Sequence, residues 1–392
     1  MTDQMNIPFN RPYISAKELE YMRNVLDNVE DGATISGDGF YTNKVQNFFK
    51  KKFGPKKVLL TTSCTSALEL ASHLIGLKPG DEIIVPSFTF PSTINPVILA
   101  GAKPIFVDIS VDTCNIDIEK IKKQINPRTR AIYPVHYAGV ACQMDEINEI
   151  AQEHDLNVVE DAAHGVNAKY KNQYLGAIGD FGCYSFHESK NYTCGEGGAL
   201  LINTDENSLW ERAEIIREKG TNRSKFFRGE INKYFWVDIG SSYLPSDILA
   251  AFLYAQLEKL DEIQKLRLEV WKAYNDELET FEDEGLLRRP IVPDHVSHNA
   301  HLFYILFNSC LQRDQVMKGL GAKGVHAVSH YLPLHLSPMG MRLGYKKGDL
   351  PVTEYVSERL LRLPVYAGMK ENEIKYVLES FRDVIRKYKI SD

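Results

Sequence analysis

From residue 57 onward, short runs rich in β-branched residues alternate with segments whose apolar positions recur every three or four residues. Lys57-Val58-Leu59-Leu60-Thr61 reads as a strand. Residues 63–74 then carry Ala67, Leu68, Leu70, Ala71 and Leu74 at helical spacing. Residues 82–86, 103–107, 130–135 and 157–160 read as further strands, each separated by a helical segment. Such alternation predicts right-handed strand–helix–strand units and a mostly parallel sheet. Ligands of such sheets lie beyond the carboxyl ends of the strands. Ser63, Ser87, His136 and Asp161 each follow a strand and therefore share one edge.

After Gly240 the pattern changes. Residues 246–281 are amphipathic and charge-laced with no turn signal, which predicts one long or kinked helix. Residues 301–307 predict a strand, and residues 312–320 and 371–388 predict helices. The chain thus divides into a large domain over residues 1–250 and a smaller α+β domain over residues 251–392.

Composition narrows the range of functions. A chain of 392 residues with 44% hydrophobic and 25% charged positions is ordinary for a globular protein. A net charge of −6 with no basic cluster argues against nucleic acid as a partner. The six cysteines form no C-x-x-C pair, which favours reduced thiols. No apolar run reaches membrane-spanning length, and residues 1–6 lack the apolar core of a signal peptide. The expected location is the cytoplasm, with no membrane contact.

The chemistry concentrates in Ser185-Phe186-His187-Glu188-Ser189-Lys190-Asn191-Tyr192, followed by Gly195-Glu196-Gly197-Gly198. Asp161 ends a strand-like run 29 residues before Lys190. A lysine and a carboxylate can hold a heteroaromatic aldehyde between them, the lysine as a Schiff base and the acid against the ring nitrogen. Pyridoxal phosphate (PLP) enzymes need that pairing. Taken singly, each residue also has a plainer reading. Alone, Lys190 reads first as a solvated surface lysine, and Asp161 as a strand-end or helix-capping acid. Thr62-Ser63-Cys64-Thr65-Ser66 is either a phosphate cradle at a helix start, with Ser185 adding a hydroxyl, or simple capping. Phe90 either stacks on a flat cofactor or packs in the core.

Other signals lead nowhere. The 195–198 glycines precede a strand, whereas a dinucleotide fingerprint follows one. His295, His298 and His301 have no carboxylate or cysteine at ligand spacing, so no metal site is expected. No nucleophile elbow or P-loop is present.

Together with Pro134-Val135-His136-Tyr137-Ala138-Gly139-Val140-Ala141-Cys142, Arg217-Glu218-Lys219-Gly220-Thr221-Asn222-Arg223 and Asp238-Ile239-Gly240-Ser241-Ser242-Tyr243-Leu244, these segments resemble the DegT/DnrJ/EryC1/StrS family of sugar-nucleotide aminotransferases. The resemblance implies an α/β fold, the PLP-dependent transferase fold type I (aspartate aminotransferase-like). It implies that Lys190 carries the cofactor, Asp161 meets the pyridine nitrogen, His164 stands near the ring hydroxyl, and Phe90 stacks on the ring. Cys64, Thr65 and Ser185 fall at phosphate-binding positions beside Ser63. Ser242 stands where many relatives place an asparagine that reaches the phosphate of the neighbouring subunit. His187, Tyr192 and His335 are either substrate contacts or packing residues. The implied reaction transfers the amino group of L-glutamate to a dTDP-4-keto-6-deoxyhexose, giving dTDP-4-amino-4,6-dideoxygalactose, within a homodimer of shared active sites. The gluco epimer and UDP- or GDP-linked sugars stay open. Lys190 also argues against the related sugar dehydratases, which carry histidine there, and against a non-catalytic binding protein.

Overall fold

A computed structural model describes residues 5–389. The signal-peptide reading of residues 1–6 therefore lies mostly outside the described residues. The strands in chain order are β1 (Lys57–Thr61), β2 (Glu82–Pro86), β3 (Lys103–Val107), β4 (Thr129–Ile132) and β5 (Asn157–Asp161). A short hairpin of β6 (Lys169–Tyr170) and β7 (Gln173–Tyr174) precedes β8 (Phe181–Ser185) and β9 (Gly198–Ile202). Later come β10 (Leu287–Arg288), β11 (Val296–Ser297), β12 (Phe303–Phe307) and β13 (Leu360–Leu363).

Seven of these form one sheet in the order β1-β9-β8-β5-β4-β2-β3. The β3–β2–β4–β5–β8 pairings are parallel, while β9 pairs antiparallel with both β8 and β1. Six strands thus share a direction, and their carboxyl ends form one edge. Both faces are covered, which explains why these strands are nearly continuous apolar runs. The helix Cys64–Ile75 packs with Leu59, Val159 and Leu200 on one face. On the other, Val58, Leu60 and Leu201 meet the helices Phe40–Phe53 and Asp247–Leu257. Pro134 has no N–H, and β4 stops at Ile132 rather than at Val135. Val135 rejoins the sheet as an isolated bridge to Asp161.

The stretch expected as one long or kinked helix over residues 246–281 is broken into two, Asp247–Leu257 and Leu260–Asp283. No proline or glycine marks the break at Glu258 and Lys259, so no local signal betrays it. Residue 250 lies inside the first helix, which packs on the large sheet's layer. We place the change of domain along the second helix. Its Leu260 and Ile263 join the large domain's core, whereas Val270, Tyr274, Leu278 and Phe281 join the core around β10-β12-β13. Ile7 also packs into that smaller core, its amide donating to the Gly324 carbonyl at 2.8 Å. Among the described residues no helix is long and apolar enough to cross a membrane.

Candidate active site

Side chains along β5 alternate between the two faces of the sheet. Val158 and Glu160 point one way, and Val159 and Asp161 the other, toward the helix Cys64–Ile75. Asp161 is buried, and its two oxygens are fixed from separate directions. Thr93 Oγ1 donates to Oδ2 at 2.7 Å, and the Ala163 amide donates to Oδ1 at 3.1 Å. Behind it Glu160 is fully buried and accepts from the amides of Gly176, Ile178 and Gly179 and from His136 Nε2. That network pins the strand end from which Asp161 projects.

Lys190 lies in the irregular loop joining β8 to β9, whose backbone is held by Glu188 N–H to Gly195 O at 2.9 Å and Lys190 N–H to His187 O at 2.9 Å. The next residue anchors the loop. Asn191 Nδ2 donates to the Asn299 carbonyl, and His301 Nδ1 pairs with Asn191 Oδ1 at 2.9 Å. Asn299 in turn donates to the carbonyls of His164 and Val166. Lys190 Nζ itself has no hydrogen bond or ion pair among the described residues. Burial lowers the Lys190 pKa, and the Arg362 charge adds to that effect while Asp161 opposes it. A lysine so placed is easier to deprotonate than a surface one.

The third component is the start of the helix Cys64–Ile75. Ser63 caps it by accepting from the Ser66 amide at 3.1 Å. The amides of Cys64 and Thr65 have no acceptor among the described residues, and Ser185 ends β8 beside them. Two open amides at a helix N-terminus attract an anion. Gly198 makes this approach of strand to helix possible, since a Cβ there would stand 2.3 Å from the Ser63 carbonyl carbon and 2.4 Å from the Cys64 nitrogen.

These parts converge on a cavity of about 540 Å³. It is lined by Ser63, Cys64, Thr65, Phe90, Asp161, His164, Ser185, His187 and Lys190 of the residues anticipated from sequence. Phe90 is 58% exposed, an unpacked ring at the cavity wall. Three others are not brought in. Tyr192 is buried in the core with its hydroxyl on the Leu260 carbonyl at 3.2 Å. His335 is fully buried between Ser87 Oγ at 2.8 Å and Glu354 Oε1 at 3.1 Å. For both, the packing alternative describes their position, because buried polar groups take internal partners. Ser242 lies on an exposed segment outside the cavity of its own chain.

The structure adds residues that the sequence does not assign to this cavity. Thr93 reaches Asp161 across 68 positions. His301 and His330 come from the small domain, and His301 stacks on His164 with ring centroids 4.0 Å apart. Burial lowers the pKa of all three histidines, so they stand neutral in the wall. The Ala138 amide donates to His164 Nδ1 at 3.3 Å, which leaves the ring proton on Nε2. Phe9, Arg267 and Arg362 complete that side.

A flat ring carrying an aldehyde, a phosphate and a basic nitrogen fits this donor set. An unpartnered amine faces the cavity, a fixed carboxylate stands for the nitrogen, and two open amides with the Ser63 and Ser185 hydroxyls stand for the phosphate. The sequence profile of the DegT/DnrJ/EryC1/StrS aminotransferase family matches residues 13–382. MJ1066 of Methanocaldococcus jannaschii is 36% identical over 386 residues, covering 97% of each chain. The spore coat polysaccharide biosynthesis protein SpsC of Bacillus subtilis is 33% identical over 392 residues, again covering 97% of each. Among solved structures, Spr1654 of Streptococcus pneumoniae in its pyridoxamine-phosphate form superposes with a TM-score of 0.90 at 25% identity, covering 99% of this chain and 100% of that one. Its PLP form matches with a TM-score of 0.89.

Proposed function

Because the chain belongs to the DegT/DnrJ/EryC1/StrS aminotransferase family, whose enzymes depend on PLP, we propose that it aminates the sugar of a nucleotide sugar. The donor is L-glutamate and the acceptor a dTDP-4-keto-6-deoxyhexose. The products are dTDP-4-amino-4,6-dideoxygalactose and 2-oxoglutarate, one amino group exchanged for one carbonyl oxygen. The observation that carries the reading is the unpartnered Lys190 amine facing the same cavity as the doubly anchored Asp161. The choice of sugar draws support from the 134–142, 217–223 and 238–244 runs, which resemble those of dTDP-4-amino-4,6-dideoxygalactose transaminases. The polysaccharide role named for SpsC suits an amino-sugar product without selecting the sugar.

Bound PLP supplies an electron sink that accepts the pair left when a C–H bond beside nitrogen breaks. The chain supplies the rest. The Cys64 and Thr65 amides, with Ser63 and Ser185, would hold the PLP phosphate; Asp161 would keep the ring nitrogen protonated; Phe90 would stand at the ring. Lys190 Nζ takes the proton from the donor α-carbon and, in the second half-reaction, delivers a proton to C4 of the sugar. Its lowered pKa favours the free base that the first step needs. Thr93 and the Ala163 amide hold Asp161 in one rotamer, and the small-domain wall of His301, His330 and Arg267 limits water at the lysine.

We further assign a cytoplasmic homodimer. Free thiols at all six cysteines suit a reducing compartment. Residues 226–239 expose Phe227 (68%), Phe235 (57%) and Trp236 (79%) close in sequence to Ser242, an apolar surface suited to burial against a second copy. The testing experiment incubates purified holoprotein with L-glutamate and a panel of dTDP-, UDP- and GDP-linked 4-keto-6-deoxy sugars. The reading predicts glutamate-dependent 2-oxoglutarate release with the dTDP sugar, and a galacto amine by NMR. No turnover of any keto sugar refutes it.

A further inference from the structure

Asn299, Ala300 and His301 lie just before β12 of the small domain, and all three are buried. They close a ring of hydrogen bonds with Asn191, the neighbour of Lys190. Asn191 Nδ2 donates to the Asn299 carbonyl at 3.0 Å, the His301 amide donates to Asn299 Oδ1 at 3.1 Å, and His301 Nδ1 meets Asn191 Oδ1 at 2.9 Å. Chemistry fixes the direction of each bond. A carbonyl only accepts, so the Asn191 amide turns its NH₂ to Asn299 and its oxygen to His301. His301 therefore carries its proton on Nδ1. Asn299 Nδ2 directs both protons to the carbonyls of His164 and Val166, each at 2.8 Å, which leaves Oδ1 as the acceptor. One buried cluster thus joins the Lys190 loop, the segment after Asp161 and the entry to β12.

Two features mark this geometry as imposed by its surroundings. Ala300 has a φ of 51°, in the left-handed region that a Cβ disfavours, and such strain persists only where neighbouring contacts over-determine it. Arg267 holds the strained turn, its Nε donating to the Ala300 carbonyl at 3.1 Å and its Nη2 to the His301 carbonyl at 2.8 Å. Gly139 makes room for Asn299, since a Cβ there would stand 2.1 Å from Asn299 Oδ1. The loop between β8 and β9 contains no helix or strand, so its shape depends on such ties. The Asn10 bond to the Glu188 carbonyl and the Tyr192 bond to the Leu260 carbonyl, both at 3.2 Å, hold it further along the chain on either side. We propose that His301 is a positioning residue for Lys190, its Nδ1–H bond to Asn191 fixing the loop in the shape that presents the amine before the cofactor binds. This rests on the reading of Lys190 as the reacting amine. In the capture step the free amine and the aldehyde give one C=N bond and one water. An amine on a long flexible stem gains rate there when its loop already holds it in place.

The test compares wild type with two variants. His301→Phe keeps a ring against His164 and removes the N–H, whereas His301→Asn keeps a donor near the Nδ1 position and removes the ring. Hydrogen exchange is followed by mass spectrometry in cofactor-free protein. PLP capture is followed by absorbance, and binding of 4-deoxypyridoxine 5′-phosphate, which lacks the aldehyde, by calorimetry. In wild type the peptide spanning residues 186–195 should exchange at least about 30-fold more slowly than unstructured chain. His301→Phe should speed that exchange and slow PLP capture, each by at least about tenfold. Exchange in β5 and affinity for 4-deoxypyridoxine 5′-phosphate should stay within about threefold, and His301→Asn should recover most of both losses. Wild-type exchange and capture in His301→Phe overturns the proposal. A His301→Asn as impaired as His301→Phe also overturns it and would assign His301 to packing on His164. An equal loss of 4-deoxypyridoxine 5′-phosphate binding overturns it as well, as general damage to the cavity. If neither variant folds, the wild-type loop decides, and protection below about 30-fold overturns the proposal. A wild type that binds PLP without joining it to Lys190 would instead fell the reading of that lysine.

Discussion

Replacing Glu160 with glutamine keeps the shape of a side chain that touches no ligand and removes its charge. Glu160 is fully buried. Its Oε1 accepts from the Ile178 and Gly179 amides, both at 2.7 Å. Its Oε2 accepts from the Gly176 amide at 2.7 Å and His136 Nε2 at 2.8 Å. The Cys142 amide donates to His136 Nδ1 at 3.1 Å, so His136 carries its proton on Nε2 and has no other role toward Glu160 than donor. In Glu160→Gln the NH₂ group must replace one oxygen, and two donors then face a donor. Each orphaned buried donor costs about 1–3 kcal/mol, or roughly 2–6 kcal/mol for two. The ~3–5 kcal/mol typical of breaking a buried charged network falls within that range. At roughly 1–2 °C per kcal/mol for a chain of this size, Tm should fall on the order of 5 °C. Scanning calorimetry at fixed protein and PLP concentrations measures it, with exposed Glu153→Gln as the control. A Glu160→Gln melting within about 1 °C of wild type would refute the claim that this carboxylate pins the end of β5.

Three further outcomes follow from the site. Asp161→Asn should weaken PLP binding at least about tenfold by fluorescence titration, since a neutral amide no longer favours a protonated ring nitrogen, while the Tm of cofactor-free protein changes little. Lys190 has its pKa lowered below the ordinary 10.5 by burial, so between the two values the unfolded chain binds a proton that the folded chain does not. Wild type therefore loses stability as pH falls through that window. Cofactor-free Lys190→Met should melt higher than wild type, by a margin that opens as pH drops below 10.5, and a pH-independent margin would contradict the burial argument. Gly198→Ala forces a Cβ against the Ser63–Cys64 backbone, so it should cost about 1–3 kcal/mol and reduce PLP affinity more than Ala199→Gly, read by the same titrations.

The sheet and the chemical centre of the cavity were legible because both follow from periodicity. Strand-length apolar runs locate β1 to β5, and the carboxyl-edge rule then brings Ser63 and Asp161 to one side. Lys190 lay in a polar, glycine-rich loop whose spacing from Asp161 suggested a pair. The remainder of the site depends on contacts between distant segments. Thr93 meets Asp161, and Arg362 and His330 enter from the small domain, through packing that no local pattern encodes. His301 was visible as one of three spaced histidines, yet its neighbour is the ring of His164 rather than its sequence companions. Tyr192 and His335 sit in motif-like surroundings but turn inward, because Leu260, Ser87 and Glu354 offer them buried partners. The break at Glu258 has no turn residue, so only the packing of the two helices reveals it.

The central claim is that Lys190 is the lysine that joins the cofactor. Borohydride reduction of protein reconstituted with PLP, followed by proteolysis and mass spectrometry, reads this directly. The account predicts a pyridoxyl mass on the peptide containing Lys190 and on no other lysine. Label on a different lysine, or none in protein that has bound PLP, would contradict it.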